Sequence, residues 1–200
     1  MATAAGITLG LIVEGHGEVQ AAPTLIRHIA RASNFNAPIK CVVRRVSKSQ
    51  LLQPGELERV VEALTRQIGR RQPILVLLDA DDHCPKDLAD SLKARCSATH
   101  GDVTMSIVIA NKEYEAWFLA AARSLAGQRG LSAPLNPPID PESIRGAKEW
   151  LTARMGPGQS YSETRHQSAY SEVIDLAEAR NARSFRKLEK ELARLFGPEK

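Results

Sequence analysis

The sequence predicts an α/β fold: a Rossmann-like, mainly parallel sheet flanked by helices, with a C-terminal helical extension. Three observations predict it. Short apolar runs alternate with amphipathic stretches up to about Leu125, the rhythm of βαβ units. The apolar runs are near-continuous, not alternating, as strands buried on both faces require. Beyond Leu125 helical spacing continues but strand signals stop.

The elements follow in order. Ile7 to Val13 (ITLGLIV) is apolar and β-branched enough for a first strand. Val19 to Ala32 sets Leu25, Ile26, Ile29 and Ala30 at helical intervals. Ile39 to Val46 reads as a second strand. After Pro54, the residues Leu57, Val60, Val61, Leu64 and Ile68 form a helical stripe. Ile74 to Leu78 (ILVLL) is a third strand, preceded by Pro73. Pro85 to Ala98 is a helix, with Pro85 suited to its first turn and Asp82 a candidate cap. Met105 to Ala110 (MSIVIA) is a fourth strand, and Lys112 to Leu125 a fourth helix. Gly127 to Ser143 carries two Gly and four Pro and reads as a loop or linker. Ala147 to Met155, Ser168 to Arg180 and Ser184 to Phe196 then read as helices. The chain thus divides into an α/β domain over 5–126, a linker over 127–143 and a helical extension over 144–200.

Composition narrows the function classes. Hydrophobic residues make 43% and charged residues 25% of 200 residues, which excludes a wholly disordered chain. Aromatics make only 4%, so aliphatic residues must fill the core. No apolar run reaches the length of a membrane span, and the first residues lack a basic leader region. Three scattered cysteines, Cys41, Cys84 and Cys96, build no disulfide framework and suit a reducing cytoplasm. The net charge of +4 permits a polyanionic partner without requiring one.

The chemistry sits where strands end. Glu14-Gly15-His16-Gly17-Glu18 directly follows the first strand, Asp79-Ala80-Asp81-Asp82 the third, and Glu113-Tyr114-Glu115 the fourth. The glycines allow a sharp turn and close approach of a ligand to the backbone. Glu14 and Glu18, four apart, share a side if a helix starts there; Asp79 and Asp81 share a face if that segment is extended. In a parallel sheet all three sets converge on the carboxyl edge, where such folds bind ligands. Clustered carboxylates repel unless neutralised, and all-oxygen ligation suits Mg²⁺ or Mn²⁺ and not Zn²⁺. Such an ion orients phosphate oxygens and activates water.

Residues 27 to 71 hold ten Lys and Arg against three acids, with Arg44, Arg45 and Lys48 near the second strand end and Arg70 and Arg71 before the third strand. A basic surface beside an acidic metal pocket is what nucleic-acid cleavage needs. His83, Cys84, Cys96 and His100 do not make a short zinc knuckle, and Cys96 fits the apolar stripe of its helix. His16 reads as a turn histidine within reach of a phosphate. Tyr161, Arg165, His166, Gln167 and Tyr170 form a polar-aromatic cluster, read chiefly as docking the extension on the sheet domain. A phosphotransfer receiver, with Asp79 as acceptor and Lys112 nearby, is a further reading, although Asp81 and the glycines around His16 fit metal–phosphate chemistry better.

Five segments carry a resemblance: LIVEGHGE, LVLLDADDHCPKDL, VIANKEYEAWFLA, YSETRHQSAY and ARSFRKLEKEL. Glu14 after the first strand and Asp79-x-Asp81 after a later one resemble the Toprim fold of topoisomerases, primases and the overcoming-lysogenization-defect (OLD) nucleases. The five in order resemble more closely the Toprim-like domain-of-unknown-function family DUF4276, over about residues 7 to 195. The resemblance implies a Mg²⁺- or Mn²⁺-dependent nuclease or phosphodiesterase, in a setting such as defence against foreign DNA. Glu14 would ligate metal or act as general acid/base. Asp79 and Asp81 would hold the catalytic ion, Glu18 and Glu115 would complete the ligand set, and Asp82, Lys112 and Glu113 would support the ligands from behind. The alternative is a non-catalytic Toprim-like subunit that binds a partner ATPase or nucleic acid. No Walker A motif is present, so any ATPase would be a separate subunit; a homo-oligomer is equally compatible.

Overall fold

A computed structural model describes residues 6–197. Residues 1–5 and 198–200, and with them the outermost ends of the 5–126 and 144–200 divisions and the expected absence of a leader, lie outside the described residues. Four strands, β1 (Ile7–Val13), β2 (Ile39–Arg45), β3 (Ile74–Asp79) and β4 (Met105–Ala110), form one all-parallel sheet in the order β2-β1-β3-β4. The chain steps from β1 outward to β2 and returns to the other side of β1 to lay down β3. The point where strand order reverses therefore lies between β1 and β3, and the crevice outside their carboxyl ends is the natural ligand position in an open α/β sheet.

Helices cover both faces. On one face α3 (Glu56–Ile68) and α4 (Pro85–Thr99), with the short α2 (Lys48–Leu51), pack Leu57, Val61, Leu64, Leu88 and Leu92 against Ile12, Val76, Leu78 and Ile107. Gly10 makes room there: a Cβ on it would stand 2.8 Å from the Ile68 side chain. The other face packs Leu9, Leu11, Leu75, Leu77 and Val108 against α1 (Glu18–Ala32). The same core continues without a break into α5 (Ala116–Ala120), α6 (Ala122–Leu125), α7 (Ala147–Thr152), α8 (Ser168–Val173), α9 (Leu176–Ala179) and α10 (Arg183–Phe196). Trp117, fully buried, donates its indole N–H to the Ser184 hydroxyl at 2.8 Å and meets Phe185 edge-on. The described residues of the extension, 144–197, thus share in covering this face of the sheet. The 127–143 stretch is a loop, yet it buries Leu131 and Leu135 in that core.

The strands match the expected runs to within a residue at each end. The differences lie in the helices. Lys112–Leu125 is not one helix: Lys112 takes φ 64°, the turn lasts through Glu115, and the helical part breaks between α5 and α6. Ser168–Arg180 breaks at Ile174, whose extended backbone separates α8 from α9. Asp82 does not cap α4; Cys84 occupies that position without a side-chain bond, and Asp82 pairs instead with Arg145 at 2.5 Å and Lys112 at 3.7 Å. Among the described residues no helix is long and apolar enough to cross a membrane.

Candidate functional site

The register of the sheet brings the acids together. Val13 pairs with Leu77 and Asp79 with Ala110, so Glu14 and Asp79 leave neighbouring strands at the same edge. Glu14, Glu18, Asp79, Asp81 and Glu115 line one cavity of about 200 Å³ at the strand-order reversal. Glu163 and Lys148 line it as well. Six carboxylates therefore face a cavity to which one lysine belongs.

Each acid is held differently. Glu14 Oε1 accepts the Lys48 amide at 3.2 Å, while its buried Oε2 has no hydrogen-bond partner. Glu18, 4% exposed, accepts the Glu14 and Gly15 amides on Oε2 at 3.1 and 3.3 Å, fixing the turn after β1. Asp79 Oδ1 accepts the Tyr114 amide at 2.8 Å. Glu115, 1% exposed, accepts the Tyr161 hydroxyl at 2.8 Å and the Gln167 amide at 3.2 Å. Asp81 is the most open of the set; its left-handed backbone (φ 49°) turns it out of the extended path expected from its spacing. The Lys48 ammonium binds its carboxylate and also donates to the Asp79 carbonyl at 3.0 Å.

The electrostatics follow from crowding in a shielded space. Burial raises Glu18 to about 7, helped by the charges of Glu14 and Glu163 and opposed by its two amide donors. Burial likewise raises Glu115 to about 7 against the pull of Lys148. Asp79 is pushed well above its ordinary value by desolvation and then by Glu18 and Glu115. Crowding and burial thus favour neutralising these acids, by protons or by a bound cation.

The closing wall comes from the extension. A single π-helical turn, Glu163–Gln167, lies over Gly17 so closely that a Cβ there would sit 2.9 Å from the Glu163 carbonyl carbon. Gly17 has ordinary helical φ, so what demands glycine is the neighbouring turn, a protein segment where the sequence suggested a ligand. Lys148 binds the Glu163 carboxylate and stands 3.8 Å from Glu113. Gln167, 2% exposed, keeps its Oε1 without a donor at the cavity wall.

Lys148, Glu163 and Gln167 are site residues that strand-end reasoning does not find. Tyr161 and Gln167 stand in the polar-aromatic cluster, and its presence was the signal available. They dock the extension, as expected, and bond Glu115 as they do so. His16 is exposed on the rim. Glu113 supports the wall, accepting the Ala147 amide at 3.3 Å, and Lys112 donates to the Asp81 carbonyl at 3.1 Å.

The basic residues are less uniform than their spacing suggests. Lys48 is almost fully buried and pairs with Asp81 behind the cavity, away from any open phosphate-binding face. Arg70 is engaged by Glu62 at 3.2 Å and Asp102 at 2.6 Å. Arg44 reaches Gln67, and Arg45 and Arg71 remain exposed. Cys96 is buried in the α4 stripe and Cys84 is exposed.

Among the described residues no group of three or more His, Cys, Asp and Glu side chains is arranged to hold a metal ion. The donor chemistry nevertheless fits a hard divalent cation: carboxylates around an all-oxygen cavity, with Glu14 Oε2 and Gln167 Oε1 lacking donors. Holding an ion would require side-chain rotation within the cavity.

No curated protein and no solved structure matches the chain. A family profile does match, over residues 13–193, and that span includes all six cavity acids and the wall that closes over them. The chain belongs to DUF4276, a domain of unknown function.

Proposed function

We propose that this protein is a Mg²⁺- or Mn²⁺-dependent phosphodiesterase of the Toprim class that hydrolyses nucleic-acid backbones. One observation carries the reading: acids from three separate strand ends line a single cavity at the strand-order reversal, with oxygens left unsatisfied. Six carboxylates around about 200 Å³ carry more negative charge than Lys148 and Lys48 offset. A divalent cation would remove that imbalance without protonating the acids.

In this reading Glu14, Glu18 and Asp79 hold the ion, with Asp81 available once Lys48 releases it, and Glu115 contributes from the inner wall. The ion would supply polarisation of a phosphoryl oxygen and a more acidic bound water. Glu14, with a free oxygen, is placed to take a proton from an attacking water. Lys112 is placed to offset charge on the phosphate, and Arg45 and Arg71 offer exposed cations for flanking phosphates.

The test is cleavage of single-stranded DNA, duplex DNA and RNA with Mg²⁺ or Mn²⁺, comparing the wild type with Glu14→Ala and Asp79→Ala. The proposal expects metal-dependent cleavage that both changes abolish; cleavage that survives both excludes this cavity. A second reading, a non-catalytic subunit that binds a separate ATPase or nucleic acid, is favoured by the Lys48–Asp81 pair and by acids already engaged by amide and hydroxyl donors. It expects no heat of Mn²⁺ binding and no cleavage by the isolated chain.

A further inference from the structure

A cavity of about 670 Å³ lies away from the acids, along the free edge of β4 between α4 and α10. β4 ends the sheet on this side. Its ladder with β3 begins where the Ile74 amide reaches the Thr104 carbonyl and continues past Asp79 to the Ala80 amide on the Ala110 carbonyl, with Ile74 opposite Met105. In a parallel ladder of that phase, even-numbered β4 residues turn their main-chain groups to β3, and Met105, Ile107 and Ile109 turn theirs to the open side. Those three residues and Asn111 line the cavity. Arg194 covers the Met105 carbonyl. The outward amides and carbonyls of Ile107 and Ile109 have no protein partner among the described residues.

An open strand edge flanked by two helices is a template for one more strand. The flanks also specify its charge. The acids lining the groove already have partners: Asp90 pairs with Lys86 at 2.8 Å, Glu191 with Lys187 at 2.6 Å and Arg194 at 3.0 Å, and Glu142 accepts the Arg183 and Ser184 amides at 2.8 and 2.9 Å. The exposed side chains of Lys93 and Arg183, one on each flank, make no ion pair among the described residues.

We propose that the β4 edge groove binds an extended acidic segment of a partner protein by strand addition, with main-chain bonds to Ile107 and Ile109 and its carboxylates toward Lys93 and Arg183. A second copy of this chain fits less well, because pairing two β4 edges about a two-fold axis brings like charges together. The proposal is independent of any chemistry at the acid cavity.

The probe is an acetylated, amidated seven-residue peptide of alternating Val and Glu, added to the ¹⁵N-labelled full chain. The expected result is slowed hydrogen exchange at the Ile107 and Ile109 amides, with binding weakened about tenfold by the exposed double change Lys93→Glu and Arg183→Glu. Methylating alternate peptide nitrogens, in the two phases, should abolish binding in one phase and spare it in the other. No protection at millimolar peptide, or binding indifferent to methylation in both phases, overturns the proposal. So does protection of the same two amides in a peptide-free dimer seen by sedimentation, which would assign the groove to a second copy.

Discussion

Glu115 is the acid most enclosed by protein, and replacing it with glutamine isolates the cost of its charge. The substitution keeps an acceptor for Tyr161 and removes the ionisable oxygen. In the fold Glu115 ionises near 7, against 4.5 for an unburied glutamate. A displacement of that size favours the neutral acid by about 3 kcal/mol when ionisation is complete. The sign follows from linkage: a folded-state value above the unfolded one means stability is full below about pH 4.5 and is lost as pH rises through about 7. Glu115→Gln should therefore gain on the wild type by about 2 kcal/mol between pH 5 and pH 8.5. Urea unfolding in chelator, followed by the fluorescence of buried Trp117, reads the gain directly. Equal stability of the two proteins at both pH values, or a loss by the variant at pH 8.5, would show that Glu115 is not an uncompensated buried acid. Mn²⁺ should shrink the gain, because an ion in the cavity stabilises the wild-type charge.

Mn²⁺ titrated calorimetrically should bind more tightly as pH rises through about 7, by up to about tenfold per pH unit for each proton displaced, since Glu18 and Glu115 must ionise; pH-independent affinity places the ion elsewhere. Asp79→Asn should weaken that binding at least about tenfold while far-ultraviolet dichroism stays unchanged. Gly17→Ala should cost about 1–3 kcal/mol by forcing the Glu163 turn away, and should speed proteolysis after Arg165. Leu188→Ala, at the heart of the core shared by sheet and extension, should cost about 2–5 kcal/mol and unfold both in one transition; two separate transitions would show that the extension folds on its own.

The strands were legible because a parallel sheet buried on both faces leaves unbroken β-branched runs such as ILVLL. The acids after them were legible because the carboxyl edge of such a sheet gathers whatever follows each strand, and Glu14, Glu18, Asp79, Asp81 and Glu115 do line one cavity. The turn from Lys112 to Glu115 was not legible, since its apolar neighbours Trp117 and Phe118 carry helical spacing regardless of where the helix starts. Lys148 and Glu163 were hidden for another reason. They reach the cavity from the extension through tertiary packing, and periodicity reports which face of a helix is apolar but not what that face meets. Lys48 misled because it falls in a basic stretch of sequence, while α2 folds it inward onto Asp81.

The Glu163–Gln167 turn has a consequence for biosynthesis. A nascent chain that has emerged only through Glu115 already carries Glu14, Asp79 and Glu115, but it lacks the Glu163–Gln167 wall of their cavity. Sealing waits for a segment translated some fifty residues later, so the strained electrostatics of the pocket are imposed in one late docking step.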